Sequence, residues 1–212
     1  GISLQKQNFD SSMVQTLKIA VHDEIEPIIF PKLVKHFHQL DLAIQFSSIK
    51  LDRKNVVTDL ATQQIDFVID LEKNFGEKTQ FEKLVQDQFV VCTQQQSMTE
   101  DIYLASPHIG VSSRRTGVLV EDIYLNRKQL SRHIFLRCQH YSTALQILSQ
   151  QSQAILTIPK HILVHLQLAD GLNVFDVPVE LPNLVMGMYW HKDRELNSRH
   201  KFLRSEISKI FA

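Results

Sequence analysis

The chain has 212 residues, 43% of them hydrophobic and 22% charged, so it is long enough to bury one large core or two small ones. Lys plus Arg and Asp plus Glu both number 23, and this zero formal charge provides no electrostatic footprint for nucleic acid. No apolar run approaches the ~18 residues of a membrane-spanning helix, and the polar lead-in 1–15 lacks a signal-peptide pattern. The composition therefore favours an ordinary soluble protein over a membrane protein.

The stretch 16–40 changes its hydrophobic period in the middle. Alternating apolar residues over 17–21 predict a strand, and apolar residues at helical spacing predict a helix over Pro27–Leu40. In the turn between them we expect Asp23 to be the helix N-cap, with Glu26 three residues further on. Helix N–H groups then point off the carboxyl end of a strand, where open α/β sheets bind ligands.

Strands and helices alternate along the rest of the chain. We predict strands over 42–49, 67–71, two extended segments within 81–93, and then 108–112, 133–138, 153–158, 172–177 and 184–190. We predict helices over 53–62, 117–128, 140–150, from Pro159 to a stop at Gly171, and over 197–211. The β-α-β order implies parallel strands with helices on both faces of each sheet. Two halves of about 90 and 80 residues fit two small domains, with ligands bound between them.

Cysteine and histidine usage argues against metal and disulfide chemistry. Cys92 and Cys138 each fall in an apolar strand-like run, so we expect two buried thiols of a reducing compartment; a disulfide is the alternative. His161 and His165 share a helical face, but no cysteine and no third ligand lies near them in the sequence. We therefore expect no metal site and no cofactor.

Six local strings, in their order, carry a resemblance to a known family, and they are LKIAVHDEIEPIIFPKLVKHF (17–37), LATQQIDFVIDL (60–71), YLASPHIGVSSRRTG (103–117), LRCQHYSTALQIL (136–148), AILTIPKHI (154–162) and GMYWHKDRELNSRHKFLR (187–204). The last string, an apolar strand ending in Trp190-His191 before a helix with His200, is the most specific. From Leu17 to the end, the chain resembles the effector-binding (regulatory) domain of a LysR-type transcriptional regulator.

The resemblance implies an α/β fold of two Rossmann-like subdomains joined by two crossover strands, which is the type 2 periplasmic-binding-protein fold. The first subdomain would comprise 1–93 and the return segment 174–212, and the second would comprise 94–173. Crossover strands near 90–93 and 174–178 would act as hinges. The resemblance also implies a cytoplasmic homodimer, a tetramer for the full-length regulator, and DNA contact through a winged helix-turn-helix domain preceding residue 1.

The resemblance further implies a small organic effector in the cleft between the subdomains. Carried over position by position, the effector-binding residues of the first subdomain are His22, Asp23, Glu24, Ser47 with Ser48, and Asp70. Those of the second subdomain are Ser112, Ser113, Arg115, Gln139, His140, Tyr141 and Thr157. Many relatives have Ser or Thr at the first turn, whereas this chain has two carboxylates, which repel an anion. We therefore expect an effector carboxylate to turn towards Arg115 and His140.

Simpler interpretations stand beside these assignments. Asp23 and Glu24 also suit ordinary caps of a solvated helix, Arg115 suits surface charge, and His140 suits a helix start with a backbone partner. No nucleophile elbow, phosphate loop, dinucleotide fingerprint or zinc-protease motif occurs, so we expect a regulator rather than an enzyme. An extracytoplasmic solute-binding protein and an enzyme on the same fold are the alternative functions.

Overall fold

The alternation of apolar residues that begins at Leu17 produces strand β1, which lies inside the first of two five-stranded sheets. The structure is a computed structural model and describes residues 9–212; residues 1–8, the start of the polar lead-in, lie outside the described part. The chain forms two compact units, one of residues up to Gln86 with Val185–Ala212 and one of Asp87–Leu184.

The strands, in chain order, are β1 Thr16–Val21, β2 Gln45–Lys50, β3 Phe67–Leu71, β4 Thr79–Asp87, β5 Phe89–Thr93, β6 Pro107–Val111, β7 His133–Cys138, β8 Ile155–Pro159, β9 Asn173–Asp176 and β10 Leu184–His191. The helices are α1 Glu26–Gln39, α2 Val56–Ala61, α3 Glu100–Ala105, α4 Val120–Arg127, α5 Tyr141–Leu148, α6 Lys160–Leu166 and α7 Ser198–Ile210. Short 3-10 turns lie at Ser11–Met13 and Lys192–Arg194.

The first sheet has the strand order β2-β1-β3-β10-β4. β1 pairs in parallel with both β2 and β3, as the β-α-β order predicted, and the late strand β10 runs antiparallel to β3. One face of the sheet packs against α1 and α7, with Leu33 and Leu203 in the same core cluster. The opposite face packs against α2 through Val56 and Leu60. The predicted arrangement of helices on both faces is confirmed for this sheet.

The second sheet has the order β7-β6-β8-β5-β9. β6 pairs in parallel with β7 and β8, whereas β5 pairs antiparallel with β8 and β9. The two segments expected to be crossover strands, β5 and β9, therefore lie side by side in this sheet. Because β6, β7 and β8 are parallel, their carboxyl ends meet at one edge of the sheet.

The largest differences from the sequence prediction in the second unit concern two helices. Helix α3 was not predicted, although Thr99 caps it by accepting the N–H of Ile102 at 3.2 Å, and it buries Tyr103. Helix α6 does not run on to Gly171, because Gln167 has a φ of 64° and ends the helix after Leu166.

The two cysteine thiols differ in exposure. Cys92 is buried in β5, and burial raises the pKa of its thiol to about 12. Cys138 is only half-buried because its strand, β7, lies at the edge of the second sheet, so the prediction of a second buried thiol is wrong. Neither cysteine is part of a disulfide.

Metal-ligating side chains do not cluster within residues 9–212, where no three of them lie close enough to hold an ion. His161 instead faces Asp87, with Nδ1 2.8 Å from Oδ1. In the same part of the chain, no helix has the length and apolar character needed to cross a membrane.

Candidate functional site

The carboxyl edge of the first sheet gathers most of the residues predicted for the first subdomain. His22 follows β1 directly, and Asp70 is the penultimate residue of the parallel neighbour β3. Ser47 does not reach that edge, because it pairs with Lys18 and lies three residues before Lys50, the end of β2. Ser48 donates a hydrogen bond to Glu26 at the start of α1.

The turn into α1 is organised by His22 rather than by Asp23. The carbonyl of His22 accepts the N–H groups of Ile25 and Glu26, at 2.9 and 3.0 Å, and its Nδ1 accepts the N–H of Glu24 at 3.1 Å. The N-cap of α1 is Ile25, with helical backbone angles and no side-chain cap, so the prediction of Asp23 as the N-cap is wrong. Asp23 is exposed instead, because the backbone and imidazole of His22 already take these donors.

Arg53 pairs with Asp70, a contact that the sequence analysis missed. Arg53 Nε and Nη2 donate to the two carboxylate oxygens of Asp70 at 2.8 and 2.9 Å. Asp70 is only 2% exposed, whereas the Arg53 side chain is 37% exposed, so the guanidinium covers the carboxylate from the solvent side. This hydrogen-bonded pairing raises the pKa of Arg53, although burial opposes it. Arg53 lies in the turn before α2 rather than inside the helix predicted for 53–62.

A buried aspartate in an otherwise apolar strand was the available signal for this pair. The string Phe67–Leu71 contains a single ionisable residue, and a buried charge is retained in proteins when it has a partner. The sequence does not say which of the nearby Lys and Arg residues is that partner. Because Asp70 is neutralised by Arg53, it adds little negative charge to this edge.

His22 is neutral at this edge. Burial lowers the pKa of His22, and the Arg53 guanidinium lowers it further, while Asp70, Asp23 and Glu24 act in the opposite direction. Since Nδ1 accepts a backbone N–H, the ring proton of the neutral imidazole lies on Nε2. His22 therefore offers a hydrogen-bond donor beside Arg53.

The carboxyl edge of the second sheet gathers the residues predicted for the second subdomain. Ser112 follows β6, and its N–H donates to the carbonyl of Cys138, the last residue of β7, at 2.9 Å. Gln139 comes next after Cys138 and is exposed, and His140 precedes α5 as its N-cap, with φ −132° and ψ 142°. Tyr141 is the first residue of α5. These polar groups share one edge, as the parallel pairing requires.

The loop after β6 is held by Arg137, which the sequence analysis did not single out. Arg137 Nη1 donates to the carbonyl of Gly117 at 2.6 Å, and its Nη2 donates to the carbonyls of Arg114 and Thr116 at 3.3 Å each. Arg114 is tied into the same loop through the carbonyl of Val118, at 2.9 Å.

The remaining predicted residues of the second unit differ in accessibility. Ser113 and Arg115 are exposed, so their polar groups lie at the surface of the loop after β6. Thr157, in β8, is only 2% exposed, and its hydroxyl is 2.6 Å from the hydroxyl of Tyr103. The Thr157 hydroxyl therefore already has a hydrogen-bond partner inside the second unit.

Comparison with known proteins defines the class. A family model described as the LysR substrate binding domain matches residues 11–210, and the chain belongs to that family. It is the effector-binding domain of a LysR-type transcriptional regulator, with the type 2 periplasmic-binding-protein fold. Both predictions from the local strings are thus confirmed.

Two curated relatives and one solved structure illustrate the similarity. The HTH-type transcriptional activator NagR of Ralstonia sp is 22% identical over 98% of this chain and 71% of its own length. NahR of Pseudomonas putida, another HTH-type transcriptional activator, is 23% identical over 93% of this chain and 67% of its own. The regulatory domain of MexT, a transcriptional activator in Pseudomonas aeruginosa, superposes with a TM-score of 0.81 at 20% identity, covering 94% of this chain and 99% of that domain.

Proposed function

We propose that this chain binds a small organic effector and that binding changes how the subunits of the regulator are arranged. The observation that carries the proposal is the gathering of polar side chains at the carboxyl ends of the parallel strands in each sheet. In the first unit these are His22 and Arg53, and in the second they are Ser112, Gln139 and His140. Open α/β sheets bind ligands at such edges, and membership of the family supports an effector as the ligand.

The charges at the two edges suggest a polar effector with one anionic group. Asp23 and Glu24 remain at the first edge, where they repel an anion. The positive charge of Arg53 is largely neutralised by its ion pair with Asp70. Arg115 lies exposed at the surface of the second unit, on the loop after β6. We therefore keep the expectation that an effector carboxylate meets Arg115 and His140.

The apolar residues left at the surface support a homodimer. On α1, Ile28, Phe30 and Val34 are only half-buried, although Ile29, Leu33 and Phe37 of the same helix are buried. In the second unit, α4 exposes Val120 and Ile123 and the edge strand β7 exposes Phe135. We propose that α1 of one subunit packs on α4 and β7 of its partner around a two-fold axis.

The wider biology follows the same family pattern. We propose that the intact regulator is cytoplasmic, assembles as a tetramer and contacts DNA through an N-terminal winged helix-turn-helix domain. An effector that favours one conformation of this chain would then favour one spacing of the DNA-binding domains. The segments β5 and β9 are the proposed hinges of that change.

The proposal is tested by screening ligands against thermal unfolding. Aromatic acids, amino acids and metabolic intermediates at millimolar concentration should include a compound that stabilises the chain, by roughly 2.7 kcal/mol at a hundred times its Kd. Gln139→Ala should reduce the stabilisation, whereas Gln146→Ala, exposed on α5 away from the edge, should not. A screen without a stabilising compound, or equal stabilisation of both variants, would contradict effector binding at this edge.

A further inference from the structure

A connected series of buried polar side chains begins at Thr157 in the second unit. The hydroxyls of Thr157 and Tyr103 share a hydrogen bond of 2.6 Å, and neither side chain reaches the surface. Tyr103 in turn contacts His108 twice: the two rings meet edge to face at 4.6 Å between centroids, and the carbonyl of Tyr103 accepts the Nε2–H of His108 at 2.5 Å. A change at the Thr157 hydroxyl therefore directly alters a contact of Tyr103, which positions His108.

His108 connects this end of the series to Arg132. Because Nε2 of His108 is a donor, Nδ1 carries the lone pair, and it lies 3.5 Å from Nη1 of Arg132. Burial lowers the pKa of His108 to about 4, with Arg132 adding to the effect, so the ring is neutral and accepts from the guanidinium. The tautomer of His108 is thus determined by its two neighbours.

The series ends where Arg132, in the loop before β7, binds two carboxylates of helix α4. The Arg132 side chain is fully buried, with Nε and Nη2 donating to the carboxylate of Asp122 at 2.8 and 3.0 Å. Nη2 also lies 3.8 Å from the carboxylate of Glu121, which is itself buried. Asp122 and Glu121 stand in the first turn of the helix that exposes Val120 and Ile123. The buried series therefore links Thr157, in the middle of β8, to the helix that we propose as a subunit contact.

Such an arrangement resists partial rearrangement. A buried arginine that loses a carboxylate partner leaves an uncompensated charge, and a buried hydroxyl that loses its partner leaves an unpaired polar group. The groups from Tyr103 to Asp122 are consequently expected to shift together rather than one at a time.

We infer that Tyr103, His108 and Arg132 are positioning residues that couple the hydroxyl of Thr157 to helix α4. An effector that took the Thr157 hydroxyl as its own partner would release Tyr103 and shift the first turn of α4. The inference rests on the proposed function for the effector and for the subunit contact on α4, and it takes the effector contact at Thr157 from the family resemblance. The coupling itself lies within one unit and exists without effector.

The coupling is tested by comparing two isosteric substitutions on the intact chain without ligand. Thr157→Val removes the hydroxyl at the start of the series. Thr93→Val is the matched control, because Thr93 is also a fully buried threonine of the second sheet, but its hydroxyl donates to the carbonyl of Ala154 at 2.8 Å and has no contact with the series. Hydrogen exchange of the amides of α4 is measured for both variants, normalised to the global unfolding free energy of each.

We expect Thr157→Val to accelerate exchange in α4 by on the order of threefold or more relative to Thr93→Val, because local opening depends on the contacts that hold the helix. Tyr103→Phe, which removes one oxygen atom, should reproduce the effect, and the ¹⁵N signals of the His108 ring should shift in both. Equal exchange in α4 and unshifted His108 signals would overturn the coupling. Because no effector is present, such a result would not test effector binding, which the thermal screen tests. A failed screen, in turn, would not test the coupling.

Discussion

Arg53 donates two parallel hydrogen bonds, of 2.8 and 2.9 Å, to the buried carboxylate of Asp70. The two residues are separated by helix α2 and come together because β3 returns parallel to β1. A bidentate pair of this kind fixes the guanidinium in one orientation. The first edge therefore carries a positioned arginine, which the sequence prediction of one imidazole with acidic and hydroxyl groups did not include.

The stability of the first unit should depend on this pair. Arg53→Met should lower the free energy of unfolding by about 2–3 kcal/mol, less than the loss for a fully buried pair because the Arg53 side chain is 37% exposed. Urea denaturation measures the loss. Arg115→Met is the matched control, since Arg115 is exposed, and a similar effect of both substitutions would contradict a special role for Asp70.

Acid should destabilise the protein below neutral pH through two buried histidines. Burial lowers the pKa of His108 and of His200 to about 4 each, whereas both return to the ordinary value of 6.5 on unfolding. The stability is therefore fully present above pH 6.5 and falls as the unfolded chain takes up protons, by about 3 kcal/mol per histidine by the time the pH reaches 4.

Urea titrations between pH 7.5 and 4 measure this slope. His108→Gln and His200→Gln should each remove part of it, because glutamine does not ionise. His165→Gln is the control, since His165 is exposed on α6 and is not among the groups that shift the pKa of His108 or His200, so the slope should survive this substitution. An unchanged slope in both buried-histidine variants would show that other groups cause the acid sensitivity.

The two edges should respond oppositely to removal of charge. With an anionic ligand from the thermal screen, Arg115→Ala should weaken binding by about 1.5–3 kcal/mol, the range for charge-assisted hydrogen bonds. Asp23→Ser should leave binding unchanged or improve it, because it removes a repelling carboxylate. Calorimetry measures the affinity of each variant. Arg127→Ala is the control, because Arg127 is stacked on Tyr124 and its removal should not change the affinity. Lost binding in Asp23→Ser with full binding in Arg115→Ala would reverse the assignment.

Self-association should depend on the exposed apolar residues of α4 and β7. Light scattering should show a dimer at high micromolar concentration, and Ile123→Glu or Phe135→Glu should convert it to a monomer by placing a charge in the contact. Val164→Glu is the control, because Val164 is even more exposed but lies on α6. A monomeric parent protein, or a dimer that survives both glutamates, would refute the proposed contact.

Local periodicity was sufficient to predict the strands and helices that have a clear apolar pattern. Strands β3 and β7 coincide with their predictions to the residue, and α7 differs by one residue at each end, because an apolar run or a helical stripe is a property of neighbouring residues. The short helix α3 was missed because its six residues carry too little periodic signal to separate them from a linker. The resemblance of local strings to a family predicted the fold correctly, because such strings are recognised without information about long-range contacts.

Contacts between distant residues were decided only by the tertiary structure. Arg53 with Asp70 and Thr157 with Tyr103 each join residues from distant parts of the chain, and each pairing depends on how the strands assemble into a sheet. The sequence by itself determined that the apolar strands β3 and β8 each contain a polar residue, Asp70 and Thr157, which we assigned to the effector site. Only the tertiary structure showed that both are buried. Which partner satisfies each of them follows from how the sheets assemble, because burial demands a partner without specifying it.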